Sequence, residues 1–289
     1  MTWSRLIRFI NDDDKTLFGE PCIQDALELD TKLDQGQLYA IELEGHDPFD
    51  LLATGHKVHV KRLVGVLVPA DIPIVKCIGL NYMKHIAEGG RKPPPYPSLF
   101  IKDSATIAAF DEDVPIHPIA QDKNLDYEGE LAVVIGKTGK NISKEDALNY
   151  IAGYAASNDV SARTWQRDPA YAGGVPQWSF AKGFDKFAPI GPMLVSPSVV
   201  GAADNLLLQT FVNGEERQNT RTDDLLFNVR AIVSFLSQGS TLKKGTVIMT
   251  GTPAGVAMGM KEPKWLKNGD LVEVKIELLG SCKNRMVYE

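Results

Sequence analysis

The feature that most constrains this chain is the stretch LDYEGELAVVIG, residues 125–136. Glu128 and Glu130 stand two apart at the head of an unbroken apolar run. Side chains on a strand repeat every two residues, so both carboxylates share one face. The run behind them, 131–135, is apolar on both faces and predicts a strand buried in the core. Two carboxylates side by side repel each other unless a cation or a proton sits between them. One reading is a solvated strand edge, which the apolar continuation weakens; the other is a cation site.

A third acid, Asp159, lies in AASNDVSAR, a run of small residues where a chain can bend into a site. The segment before it, 145–155, reads as a helix. Three carboxylates without Cys or His beside them are an all-oxygen set, suited to Mg²⁺, Mn²⁺ or Ca²⁺ and poor for zinc. His85 is one of five histidines, with Glu88 three residues on. On a helical turn these two face the same way. A carboxylate that holds one imidazole nitrogen fixes the tautomer a general base needs; a plain surface pair is the competing reading. Lys182 sits among aromatics and glycines in WSFAKGFDKFAPIGP. It is either a lysine that meets an anion or an enolate, or a surface lysine with a buried stem.

The rest of the chain predicts many short strands and few helices. Strands are expected at 5–10, 38–43, 58–67, 74–80, 99–102, 206–212, 246–249, 271–279 and 284–288. Brief helices are expected at 48–52 and 81–90, the second ended by Gly89 and Gly90, and the clearest helix at 224–238. Asn213-Gly214 predicts a type I′ hairpin turn. RKPPPYP is a stiff extended loop, and the Gly/Pro loop 169–177 is placed to act as a lid. A boundary near Asp71 divides a small mainly-β domain, 1–70, from a catalytic domain, 71–289. The fold class is α+β and β-rich, without Rossmann-like alternation. GTPAGVAMG lacks the Walker lysine and the dinucleotide fingerprint.

Composition narrows the function. With 31 basic and 37 acidic residues among 289, the formal charge of −6 offers no footprint for nucleic acid, and no basic run suits a membrane surface. No apolar stretch approaches the ~18–20 residues of a transmembrane helix. Three scattered cysteines, Cys22, Cys77 and Cys282, form no disulfide framework and point to a reducing compartment. The start, MTWSRLIRFINDDDK, is not a secretory signal. An intracellular protein is expected, cytoplasmic ahead of mitochondrial, with Arg5 and Arg8 keeping a presequence open.

The motifs GLNYMKHIAE, PSLFIK, LDYEGELAVVIG, NDVSARTWQ, FAKGFDKFAPIGP, VNGE and TGTPAGV follow in that order. Together they resemble the fumarylacetoacetate hydrolase superfamily over residues 71–289, on the branch of oxaloacetate tautomerases and acylpyruvate hydrolases. The resemblance implies a mixed β-sandwich roll, a small N-terminal domain, a homodimer and a Mg²⁺ or Mn²⁺ site. Residue by residue, Glu128, Glu130 and Asp159 match the metal carboxylates, His85 and Glu88 the His–Glu dyad, and Lys182 the pocket lysine. Arg163, Gln166 and Thr252 match residues that face substrate. The fourth metal carboxylate of the name-giving enzyme has no counterpart, because residues 77–84 (CIGLNYMK) contain no acid.

The implied chemistry is a metal-stabilised enolate of a small 2-oxo or 2,4-dioxo acid. Oxaloacetate keto–enol tautomerisation is the expectation. The alternatives are acylpyruvate-type carbon–carbon hydrolysis and decarboxylation or isomerisation of a related ring-cleavage or secondary-metabolite intermediate. The apolar segment 167–175 leaves a bulkier substrate open, and a scaffold that has lost catalysis is the contrasting class.

Overall fold

The structure, a computed structural model, describes residues 2–121 and 124–289. The first strands are β1 (Arg5–Ile10), β2 (Thr16–Pro21), β3 (Tyr39–Asp47), β4 (Asp50–His59) and β5 (Arg62–Val64), with helix α1 (Glu28–Asp34) after β2. Next come β6 (Val75–Gly79), α2 (Met83–Glu88), β7 (Ser98–Lys102), β8 (Ile107–Ala109), β9 (Val114–Ile116), β10 (Leu125–Asp126), β11 (Gly129–Ile135), β12 (Ile151–Asn158) and β13 (Ser161–Ala162). Three short helices follow, α3 (Arg163–Arg167), α4 (Pro169–Ala172) and α5 (Trp178–Ala181), then β14 (Ala188–Val195) and α6 (Pro197–Val200). The chain closes with β15 (Leu207–Val212), β16 (Glu215–Arg221), α7 (Val229–Ser237), β17 (Val247–Met249), β18 (Leu271–Ile276) and β19 (Gly280–Tyr288).

A large mixed sheet runs β4-β3-β2-β1-β14-β12-β11-β17-β6-β7, and a smaller one runs β16-β15-β18-β19-β9. Alternation along β11 shows how they pack. Leu131, Val133 and Ile135 meet Leu208, Val272 and Val274 of the small sheet in one core. Ala132 and Val134 join a second core on the opposite face, with Val75, Cys77, Leu194 and Met249. The large sheet is therefore covered on both sides, and this is why its central strands read as continuous apolar runs. The N-terminal strands extend the same sheet, since β1 pairs with β14 through Arg5–Val195 and Leu6–Leu194. Among the described residues, no helix is long and apolar enough to cross a membrane.

Three expected helices are corrected. The stretch 145–155 is a single 3-10 turn, Ala147–Tyr150, followed by strand β12. Every residue of β12 is buried between β11 and β14, and a strand buried on both faces carries no period that separates it from a buried helix. The supposed helix at 48–52 is the turn into β4, where Asp47 accepts from the Phe49 N–H at 2.9 Å. The helix expected at 224–238 begins only at Val229, capped by Asn228. Asn81 holds the preceding residues extended: its carbonyl takes the Leu226 N–H at 2.7 Å and its side chain the Phe227 N–H at 2.9 Å. The Asn213-Gly214 turn has the expected positive φ angles, 50° and 81°, and joins β15 to β16.

Candidate functional site

The β11–β12 ladder ends where Gly129 faces Asn158. Beyond that pair the ladder is interrupted, and it resumes in the same register at Asp126–Ser161 and Leu125–Ala162. The Asn158 side chain replaces the missing ladder carbonyl by accepting from the Glu128 N–H at 3.0 Å, and the Asp159 N–H donates to the Glu128 carbonyl at 2.9 Å. Glu128, Glu130 and Asp159 project at and beside this interruption. All three are buried, and one oxygen from each lies within 4.8 Å of the others. Gly129 allows the approach of the second sheet. A Cβ there would lie 2.1 Å from Thr210 Oγ1.

Three cations face these acids. Lys182 Nζ, from the end of α5, donates to Glu128 Oε2 and Asp159 Oδ2 at 2.7 Å each and to Ser161 Oγ at 2.6 Å. Lys102 Nζ, at the end of β7, donates to the other Asp159 oxygen and to the Phe187 carbonyl, both at 2.7 Å. Arg163 donates from Nε to Asp126 at 2.8 Å, from one terminal nitrogen to Glu128 at 2.5 Å and from the other to Gln166 at 3.1 Å. Asp126 in turn accepts the N–H groups of Ala257 and Met258 at 2.8 and 3.2 Å, tying Arg163 to the TGTPAGV loop.

The balance differs between the two glutamates. Burial pushes the Glu128 carboxyl up, but Arg163 and Lys182 outweigh it and hold it down at about 2. Glu130 has the Gly251 N–H at 2.7 Å and, among the described residues, no cation bonded to it. Burial, then Asp159 and Glu128 as like charges, push its carboxyl well above the ordinary range. Burial works against the Lys182 ammonium, yet Asp159 and Glu128 raise its pKa.

A cleft opens onto this cluster. Glu128, Glu130, Arg163, Gln166, Lys182 and Thr252 all line it, so six of the expected residues meet there, and His85 closes it from α2. Asp159, fully buried, stands behind the wall. His85 Nδ1 lies 3.0 Å from Glu88 Oε2, and the other Glu88 oxygen accepts the Gly255 N–H at 3.1 Å. Thr252 Oγ1 donates to the Gly129 carbonyl at 3.1 Å and accepts from Gln218 Nε2 at 2.7 Å. None of residues 168–177 lines the cleft.

Lys102, Asp126, Ser161 and Gln218 escape the reading of the sequence. For Lys102 a signal exists. Leu99 and Ile101 are exposed while Phe100 and Lys102 are buried, so strand alternation turns that lysine inward with an aromatic ring. Gln218 crosses from the second sheet, also accepting the Gly129 N–H at 2.9 Å, and no local pattern announces it.

The donor set fits a hard divalent cation: three convergent buried carboxylates, no sulfur or imidazole among them, and in Glu130 an acid that forms no ion pair among the described residues. Among the described residues no other three acidic, His or Cys side chains gather in this way.

Comparison with known proteins agrees with this geometry. The family profile described as fumarylacetoacetate (FAA) hydrolase C-terminal matches residues 74–287. Oxaloacetate tautomerase fahd2, mitochondrial, of Xenopus laevis is 39% identical over 225 residues, 78% of this chain and 69% of that protein. A 2-hydroxyhepta-2,4-diene-1,7-dioate isomerase from Mycobacterium marinum shares the fold with a TM-score of 0.79 and 33% identity over 99% of both chains. The fumarylpyruvate hydrolase of Pseudomonas aeruginosa, solved with Mn²⁺ and pyruvate, has a TM-score of 0.66 and 33% identity over 75% of this chain and 91% of that one. Matched from its sixth strand to its last, and carrying the acidic cluster where the ladder between its central strands is interrupted, the chain belongs to the fumarylacetoacetate hydrolase family.

Proposed function

We propose that this enzyme is a divalent-metal-dependent tautomerase of small 2-oxo dicarboxylic acids, with oxaloacetate as substrate. The carrying observation is the meeting of three buried carboxylates and Lys182 with the His85–Glu88 pair across one cleft. The tautomerase name of the Xenopus relative supports the choice of reaction. Glu128, Glu130 and Asp159 would hold Mg²⁺, or Mn²⁺ as in the Pseudomonas structure. Such an ion, when bound, supplies Lewis-acid polarisation of a 2-oxo carbonyl.

The chain's own groups do the rest. Glu88 holds His85 Nδ1, so Nε2 is the nitrogen that takes the proton from C3 of the keto form. The electron pair of the C3–H bond becomes the C2–C3 double bond, and the C2 oxygen takes up a proton to give the enol. Lys182 sets its ammonium where negative charge grows on that oxygen. Arg163, Gln166 and Thr252 orient the substrate. The hydrolase name of the Pseudomonas relative favours one second reading, in which the same dyad activates water against a distal carbonyl.

Residues 71–289 form the catalytic unit of a homodimer in this reading, with 1–70 as the smaller module, and the three free cysteines suit a reducing compartment. The test is incubation with enol-oxaloacetate, keto-oxaloacetate and acetylpyruvate, following enol absorbance and released pyruvate. Rapid enol loss without pyruvate is expected. Pyruvate with acetate, or pyruvate with CO₂, would overturn it in favour of a hydrolase or a decarboxylase.

A further inference from the structure

The cations around the cleft are unequally occupied. Lys182, Arg163 and Lys102 each bond a carboxylate at 2.5–2.8 Å. Arg167, on the last turn of α3, lines the same cleft, and among the described residues it bonds no carboxylate. Its neighbour Asp168 is turned away, its Oδ1 accepting the Ala170 N–H at 2.9 Å to cap α4. From the geometry we infer that Arg167 is the receptor for a second, distal carboxylate of the substrate, so that the cleft selects 2-oxo dianions over monoanions. This deepens the tautomerase reading and rests on it for the substrate's 2-oxo acid end.

Charge counting supports the assignment. Asp126, Glu128, Glu130 and Asp159 face Lys102, Arg163 and Lys182, four negative charges against three positive. With a divalent ion on the triad and all four carboxylates ionised, these charges sum to a single positive one, and Arg167 makes it two. A dianion neutralises that pocket and a monoanion does not. Arg163 is a poor rival for the distal group, because its donors are already engaged by Asp126, Glu128 and Gln166.

Arg91 sharpens the picture. It follows α2, its N–H donating to the Ile86 carbonyl at 3.0 Å, so it travels with the segment that carries His85. Burial and then Arg91 and Arg163 as like charges lower the pKa of the Arg167 guanidinium, outweighing the opposing pull of Glu128. A carboxylate between Arg167 and Arg91 would relieve that repulsion.

The experiment compares oxaloacetate with 2-oxobutyrate, which carries a methyl group in place of the distal carboxylate. Binding to the Mg²⁺-loaded full chain is read by quenching of Trp178, which lines the cleft, corrected for ligand absorbance. Arg167→Gln should weaken oxaloacetate about 10- to 100-fold, the range of a lost charge-assisted hydrogen bond, and 2-oxobutyrate less than about twofold. Arg167→Lys should recover most of the preference. Equal weakening of both ligands, or undiminished oxaloacetate binding, would overturn the assignment. Should the binding preference appear without enol turnover in the wild type, the tautomerase reading falls and the dianion receptor stands. Should turnover appear with an indifferent Arg167→Gln, the reverse holds.

Discussion

Removing one acid from the buried cluster should make the metal-free protein more stable. Glu130 is buried with two other carboxylates within 4.8 Å, and its bonded partner is an amide. At an effective dielectric of about 20, each like-charge pair at that distance costs about 3.5 kcal/mol, which Lys182 only partly offsets. The carboxyl escapes by keeping its proton. Its folded pKa lies above its ordinary 4.5, so its contribution to stability is complete below pH 4.5 and is lost as pH rises. Holding a proton from 4.5 up to pH 7 costs at most about 3.4 kcal/mol, at 1.36 kcal/mol per pH unit. Glu130→Gln keeps an oxygen for the Gly251 N–H and removes the charge. It should stabilise the metal-free protein by about 1–3 kcal/mol at pH 7, or about 2–5 °C in Tm for a chain of this length. The gain should shrink to nothing near pH 4.5. Glu128→Gln should do the opposite. Glu128 is held at about 2 by Arg163 and Lys182, so its contribution is full above 4.5 and is lost as pH falls toward 2. Scanning calorimetry in a chelator from pH 4.5 to 8 follows the decline of the Glu130→Gln gain, and extending it toward pH 2 follows the Glu128 contribution. A destabilised Glu130→Gln at pH 7, or a gain independent of pH, would refute the reasoning.

Divalent-ion protection gives a companion measurement: Mg²⁺ or Mn²⁺ should raise the Tm of the wild type, and Glu128→Ala or Asp159→Ala should lose both that rise and turnover while the circular dichroism spectrum is kept. His85→Ala should lower kcat for enol loss about 100-fold or more, and Glu88→Gln less, as expected for a base and its orienting partner; stopped-flow absorbance decides. Gly259→Ala should mimic Glu88→Ala in kcat with little change in Tm, because a Cβ at 259 would lie 2.3 Å from the Glu88 carboxyl carbon and push it off the Gly255 N–H.

The site was more legible than the scaffold that carries it. Glu128 and Glu130 announce themselves because strand alternation is a local rule, and it holds even where the strand is central. Asp159 was found beside an element read wrongly: the residues before it form a strand, since burial on both faces erased the period that would have said so. The order of the large sheet could not be read. Its parallel pairs join Val247 to Val75 and Ala188 to Ile107, contacts that no local pattern encodes. The start of α7 was misplaced for the same kind of reason, since one distant asparagine, Asn81, holds the residues before it extended.

The two lysines on Asp159 show how burial divides labour between identical charges. Lys102 is 2% exposed and does not line the cleft; its ammonium spends its bonds on Asp159 Oδ1 and the Phe187 carbonyl. With no path to a ligand, it can act only by holding Asp159. Lys182 bonds the other Asp159 oxygen but also lines the cleft. A substrate anion entering there competes for the Lys182 ammonium, and each bond it wins is taken from Asp159, Glu128 or Ser161. Losing a partner would leave Asp159 a buried, uncompensated charge, which is severely destabilising. Lys102 prevents that: it keeps Asp159 paired and in place whichever way Lys182 turns, and so leaves the Lys182 ammonium available to an anion in the cleft.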